Sequence, residues 1–212
     1  MATVTALQLQ KHDKTRVSVF IDDAYAFSVG LEVAAGLQKG QQLSKAEIAD
    51  LQQGGEQDRA YQKALQYLGT RPRSRAEVER YLHDKGFAED IVAAALERLA
   101  AHNYLNDEEF AQFWLDNRTR FRPRSAAAVR HELRQKGVDK EAIDAALESL
   151  DEDEAAWAAA ATKLDRWRSL ERTDFDQKIT AFLARRGFGH DIIRRVCRRA
   201  WDEIEQHNEE TP

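Results

Sequence analysis

The sequence predicts an all-α protein built from three tandem three-helix repeats in an elongated array, with a small N-terminal β-hairpin element ahead of them. Three observations predict it. Beyond residue 55 the chain resembles itself at a period of about 50 residues, the mark of a repeat architecture. Only 10 glycines and 3 prolines among 212 residues leave room for long helices, and Ala, Leu, Gln, Glu and Arg, all good helix formers, are abundant. Strict two-residue alternation is confined to the first 30 residues.

In that N-terminal stretch Val17, Val19 and Ile21 alternate with Arg16, Ser18 and Phe20; after Asp22-Asp23, Tyr25, Phe27 and Val29 alternate again. An acidic pair between two alternating runs predicts a hairpin, and Leu7 and Leu9, before a His12-Asp13-Lys14 turn, offer a third strand. A lone hairpin is marginal in water, so this piece must pack on the helical body or on a partner. Ser44-Lys45-Ala46-Glu47 has capping-box spacing and opens a short helix, which Gln52-Gln53-Gly54-Gly55 ends as a linker.

The repeats align on Gly86, Gly137 and Gly187. Eight residues before each glycine stand Val78, Val129 and Ile179, and four before stand Leu82, Leu133 and Leu183. Six after come Val92, Ile143 and Ile193; ten after come Leu96, Leu147 and Cys197. Positions four apart share a helix face. A basic residue followed by glycine ends the helix, since glycine accepts the left-handed turn and a cation suits the C-terminal dipole. The next helix starts after Ala88, Asp139 or Gly189, and an upstream helix brings the bulk: Tyr61, Leu65, Leu68; Phe110, Trp114, Leu115; Trp157, Leu164, Trp167. The expected division is a hairpin with short helix and linker over 1–55, repeats over 56–105, 106–150 and 151–207, and a disordered tail over 208–212.

Composition narrows the function. A net charge of −5 argues against a histone-like binder, but Arg118, Arg120, Arg122, Arg124, Arg130, Arg134, Lys136 and Lys140 meet only Glu132 and Asp139 in their own stretch. Local sign outweighs the average beyond a Debye length of roughly 8 Å. One cysteine excludes an internal disulfide and fits a reducing compartment. Neither a signal peptide nor an apolar run of about 18 residues is present, so the expectation is a cytoplasmic, monomeric protein that does not touch membranes. The six histidines lack metal-ligand spacing, and no phosphate-binding loop, nucleophile elbow or HExxH sequence occurs, so no enzyme, metal or cofactor is expected. Asn106-Asp107-Glu108-Glu109 reads as an N-cap and acidic first turn, Cys197 as a small core hydrophobe, and Trp157, Trp167 and Trp201 as core bulk.

The sharpest motif is Arg-Pro-Arg-Ser, at Arg71–Ser74 and again at Arg122–Ser125. The serine caps the repeat's second helix and proline stiffens the approach; Glu77 completes a capping box in the first copy, and Ala128 cannot in the second. Capping leaves the arginines unexplained, because a cation at a helix N-terminus is mildly unfavourable. They are either solvated or forks for an anion seated on free backbone N–H groups. The third repeat has Arg172-Thr173-Asp174 instead, and carries Arg194, Arg195, Arg198 and Arg199 on one wetted side of its last helix, either a solvated face or a basic strip.

Several segments resemble a known family. Ala64-Leu65, Tyr67-Leu68, Arg71-Pro72-Arg73-Ser74, Glu77-Val78, Tyr81-Leu82 and Lys85-Gly86-Phe87 are similar to the first repeat of the RecX family. Tyr104-Leu105-Asn106-Asp107-Glu108-Glu109-Phe110-Ala111 resembles its most recognisable segment. Glu132-Leu133 with Lys136-Gly137-Val138 resembles its second repeat, and Ile21 to Ser28 its N-terminal extension. The resemblance spans roughly residues 15–203. It implies a protein without catalytic motif that binds RecA–DNA filaments and restrains ATP hydrolysis and strand exchange. DNA would be met directly or through RecA. Arg71, Arg73, Arg75, Arg120, Arg122, Arg124, Arg194, Arg195, Arg198 and Arg199 are the candidate contacts with DNA phosphates or acidic patches of RecA. Two rival readings stay open: a helical-repeat DNA-binding regulator acting without RecA, whose second and third helices imitate a helix-turn-helix, and a bare protein-interaction scaffold.

Overall fold

The computed structural model describes residues 1–11 and 13–210. It is mostly helical, with a small antiparallel sheet at its N-terminal end, and divides into two compact units, Met1–Asn106 and Asp107–Pro212.

In the first unit the expected hairpin forms one side of a four-stranded sheet of order β3-β2-β1-β4. Its strands are β1 (Ala2–Leu9), β2 (Arg16–Ile21), β3 (Ala24–Gly30) and the two-residue β4 (Gln42–Leu43), with α1 (Leu31–Ala35) between the last two. The acidic turn forms because Asp22 and Asp23 both take positive φ, 49° and 66°, the pairing a two-residue hairpin loop requires. Asp22 Oδ1 also accepts the Thr3 N–H at 3.0 Å, which ties the turn to β1. His12, in the turn expected before β2, lies outside the described residues; its neighbour Asp13 accepts the Thr15 N–H at 3.0 Å.

The expected linker at Gln52–Gly55 does not exist. A single helix, α2, runs Lys45–Leu68 through both glycines, opened by the Ser44/Glu47 capping box. Two glycines are tolerated in mid-helix because the second meets the sheet: a Cβ on Gly55 would lie 2.2 Å from the Ser28 carbonyl oxygen. Arg16, only 7% exposed, crosses this contact and donates to Ser28 O at 2.8 Å, Ser28 Oγ at 2.9 Å and Gly55 O at 2.9 Å. The N-terminal half of α2 thus carries the sheet. Its C-terminal half supplies Ala60, Tyr61 and Ala64 to the core of repeat 1.

Repeat 1 continues with α3 (Arg75–Asp84) and α4 (Glu89–Ala101). The second unit holds α5 (Asp107–Phe121), α6 (Ala126–Gln135) and α7 (Lys140–Leu147), then α8 (Glu152–Trp167), α9 (Arg172–Ala184) and α10 (His190–Glu210). Residues 208–210, expected to lie in a disordered tail, continue α10. All twelve aligned apolar positions are buried, Cys197 included. The partly buried Trp157, Trp167 and Trp201 pack against the third core. Each repeat closes at its glycine in the same way. Gly86, Gly137 and Gly187 hold φ of 83°, 77° and 88°. The following N–H returns to the aligned leucine carbonyl: Phe87 to Leu82 at 3.3 Å, Val138 to Leu133 at 3.2 Å, Phe188 to Leu183 at 3.3 Å. This six-to-one bond brings the residue after glycine onto the leucine it must pack against.

The adjacent glycines of α2 separate two effects of the same substitution. Nothing lies within 4 Å of a Cβ on Gly54, so Gly54→Ala stabilises by about 0.5–1 kcal/mol through helix propensity alone. Gly55→Ala forces the sheet away from the helix and costs about 1–3 kcal/mol. Urea denaturation of the two variants checks the opposite signs.

Candidate anion-binding interface

In the first Arg-Pro-Arg-Ser copy the arginines are already engaged. Ser74 Oγ accepts the Glu77 N–H at 3.2 Å, and Glu77 Oε2 accepts the Ser74 N–H at 3.2 Å. The same carboxylate takes Arg71 Nη2 at 2.9 Å and Nη1 at 3.3 Å, so Arg71 closes over the helix cap. Arg73 lies on the Tyr67 ring, 4.0 Å from its centroid, and donates to Thr70 Oγ1 at 3.1 Å. Tyr67 in turn stacks on Tyr81 at 4.1 Å, and the Lys85 ammonium lies 5.4 Å from the Tyr81 centroid. Arg75 donates to the exposed Glu97 at 2.6 Å. This surface of repeat 1 is a stacked tyrosine pair held among cations.

The second copy is wired differently. Ser125 Oγ accepts the Ala128 N–H at 3.2 Å, and with no glutamate at position 128 the first turn borrows one from repeat 3: the Ala126 N–H donates to Glu152 Oε1 at 2.7 Å. The Ser125 N–H donates to the Arg186 carbonyl at 3.2 Å. The helix N-terminus is therefore largely satisfied within the protein, and few of its backbone N–H groups are left for an anion, the second of the two alternatives the motif raised. Glu132, 14% exposed, is a shared acceptor for Trp114 Nε1 at 2.8 Å, Arg118 Nε at 2.6 Å and Arg124 Nη1 at 3.0 Å. Arg118 and Lys136 also sit over the Trp114 ring, at 4.4 and 4.3 Å. Arg120 lies 5.1 Å from the ring of Phe121, which is 65% exposed. Arg122 is exposed and makes no ion pair among the described residues.

On α10 three of the four arginines are paired. Arg194 pairs with Asp191, Arg195 grips Asp153 through two bonds of 2.8 and 2.7 Å, and Arg199 donates to Glu154 at 2.9 Å while lying 4.0 Å from the Trp157 centroid. The acidic block that follows repeat 2 is thus the counter-charge for α10. Arg195 holds the Asp153 carboxyl below the ordinary aspartate range, chiefly through that hydrogen bond. Arg198 alone of the four is exposed without an ion pair among the described residues.

Two residues absent from the sequence-based candidates join the second copy. Arg185 and Arg186 close the α9–α10 turn, and the Ser125–Arg186 bond brings that turn against Arg-Pro-Arg-Ser. Arg186 lies 3.8 Å from the Phe182 centroid, and its Nε is buried with no acceptor. Burial, and then the charges of Arg124, Arg185 and Arg122, pull its guanidinium below its ordinary basicity. The basic residue before each turn glycine was visible in sequence; nothing local marked this one as facing Arg122 and Arg124. Histidine spacing likewise concealed a cluster of Glu79, His83 and Glu89, whose ligand-type atoms lie within 4.8 Å of one another across the α3–α4 turn, with His83 3.2 Å from Glu89.

Four family models match the chain in order: the regulatory protein RecX N-terminal domain over residues 2–44, and the first, second and third three-helix domains of RecX over 60–99, 106–147 and 151–197. The chain is 35% identical over 198 residues to the regulatory protein RecX of Bacillus licheniformis, covering 91% of this chain and 75% of that one. It is 33% identical over 215 residues to that of Bacillus subtilis, covering 99% and 80%. The chain belongs to the RecX family. A RecX crystal structure superposes with a TM-score of 0.70 at 25% identity, covering 92% of this chain and 98% of that one. RecX from Lactobacillus salivarius shares the fold, with a TM-score of 0.60 over 68% of this chain and 96% of that one. Both Arg-Pro-Arg-Ser copies fall inside RecX three-helix domains, as do Arg194 and Arg195, whereas Arg198 and Arg199 lie just beyond the third match. The curated relatives are named regulatory proteins, and no helix among the described residues is long and apolar enough to cross a membrane.

Glu132 and Glu97 predict contrasting behaviour. Glu132→Ala leaves an indole N–H and two guanidiniums without their acceptor and costs about 2 kcal/mol. Glu97→Ala, at an exposed pair, stays within about 0.5 kcal/mol; chemical denaturation distinguishes them. Because the Asp153 pKa is lowered on folding, its contribution to stability is present above the ordinary aspartate value and is lost as pH falls through the folded one. In an NMR titration the Asp153 carboxyl carbon titrates below an unperturbed aspartate, and Arg195→Gln moves the midpoint up.

Proposed function

We propose that this chain is a non-enzymatic regulator that binds RecA–DNA filaments and restrains RecA ATP hydrolysis and strand exchange. The observation that carries this reading is the ordered match to every RecX domain from residue 2 to residue 197. The distribution of cations supports it: guanidiniums collect at the turns that open the second helix of repeats 1 and 2 and along the last helix of repeat 3. Arg71, Arg73, Arg75, Arg120, Arg122, Arg124, Arg194, Arg195, Arg198 and Arg199 are the proposed contacts with filament phosphates or RecA carboxylates. Many of them hold exposed internal acids, and such pairs are worth little in water, so exchange for an external anion is nearly free. Weak contacts from separate repeats add up when they engage one polymeric target, where the second contact forms at the effective concentration set by the first. The protein acts as a monomer in the cytoplasm, by occupancy, and meets DNA directly or through RecA.

The test is RecA ATPase activity on single-stranded DNA. At equimolar protein the rate falls by about threefold or more through combined contacts, and raising salt from about 50 to 200 mM reverses much of the effect through counterion competition. An unchanged rate at about tenfold molar excess, where binding would be saturated, overturns the proposal. Tight, sequence-selective duplex binding without RecA supports a direct DNA-binding regulator instead, and salt-insensitive binding to a protein with no DNA affinity supports a scaffold.

A further inference from the structure

The α9–α10 turn of repeat 3 is seated on the Arg-Pro-Arg-Ser segment of repeat 2 so closely that a Cβ on Gly187 would stand 2.6 Å from Ser125 Oγ and 3.1 Å from the Ala128 Cβ. One backbone bond, Ser125 N–H to Arg186 O at 3.2 Å, fastens the two. The same contact brings like charges together: Arg186 feels the charges of Arg124 and Arg122 across it and of Arg185 beside it. Acidic relief is scarce. Glu132 reaches Arg124 but is shared with Arg118 and Trp114, and Glu152 gives an oxygen to the Ala126 N–H. Arg122 and Arg185 make no ion pair among the described residues, and the buried Arg186 Nε has no acceptor. Within repeat 3 itself opposite charges meet, in Arg195–Asp153 and Arg199–Glu154. Here the fold places four guanidiniums with two carboxylates, both already engaged, at a junction it must keep closed.

We infer that Arg122, Arg124, Arg185 and Arg186 form a site for a phosphate group, and that its occupancy clasps repeat 2 to repeat 3. A tetrahedral oxyanion offers several acceptors to planar guanidinium forks and supplies the negative charge this junction lacks. Without it, repulsion across a half-buried contact, poorly screened by water, strains the Ser125–Arg186 bond. With it, the same four charges hold the turn in place. Phosphate binding and stiffness between the repeats are therefore one equilibrium, each favouring the other. The inference concerns the chemistry of the junction and does not rest on the RecA reading. The phosphate is either a group of a nucleic-acid backbone or a free ion.

Amide hydrogen exchange of the full chain tests it, read at the peptide containing Ser125. At matched ionic strength, replacing chloride with about 50 mM inorganic phosphate slows exchange there by about tenfold, because a bound ligand stabilises the closed state by mass action. Arg122→Gln/Arg185→Gln removes two exposed cations that hold no structural bond. In chloride this variant exchanges about threefold more slowly than wild type, since relieved repulsion stabilises the contact, and phosphate adds little further. A twenty-residue oligothymidylate identifies the source. Protection at micromolar oligomer assigns the site to a nucleic-acid backbone, whereas protection only by millimolar phosphate assigns it to a free ion. Equal exchange of wild-type Ser125 in chloride, phosphate and oligomer overturns the clasp, as does an equal phosphate response in wild type and variant, which marks a general salt effect. The wild-type arms decide even if the variant fails to fold. RecA ATPase takes no part in the readout, so this inference and the proposed function fail separately.

Discussion

Each three-helix repeat is closed by a glycine in the left-handed conformation, and the helical part of the molecule depends on that one backbone state. With φ between 77° and 88°, Gly86, Gly137 and Gly187 let the chain reverse within two residues and return an N–H to the leucine carbonyl five positions back. The apolar residue after the glycine then lands on the core that this leucine and its neighbours form. A side chain at these positions meets steric cost in the backbone itself. At Gly187 it also meets Ser125, so the device that closes repeat 3 is also the surface by which repeat 3 sits on repeat 2.

The distribution of charge follows from the same architecture. Each turn ends in a basic residue that satisfies a helix C-terminus, and each of these, Lys85, Lys136 and Arg186, folds over an aromatic ring of its own repeat. Around that shared plan the acids are placed unequally. Glu77 answers Arg71 in repeat 1, Glu132 is divided among three donors in repeat 2, and the acidic start of α8 pairs with two of the four α10 arginines. Among the described residues Arg120, Arg122, Arg185 and Arg198 are among the arginines that keep no ion pair, which explains how a chain of net charge −5 presents cationic surface.

Helix α2 shows where local rules lose to packing. Gln52-Gln53-Gly54-Gly55 has the composition of a linker, and helix propensity alone would break there. The helix continues because Gly55 permits the Ser28 carbonyl to approach and Arg16 bonds across both elements. One rod thereby joins the sheet to the first repeat. Arg16 itself looked like an outward-facing residue of an alternating strand; its burial was invisible until the partner thirty-nine residues away was in place.

Period and pattern in the amino-acid order were enough to determine the three repeats, the twelve core positions, the turn glycines and the serine caps, because those features are set within each repeat and recur. Tertiary structure alone decided which arginines are neutralised, that Glu132 serves three donors, and that Arg186 faces Arg122 and Arg124. The reason is physical: a backbone turn is dictated by its own residues, whereas the electrostatic state of a side chain is set by whatever charges and low-polarity surface the rest of the fold brings beside it.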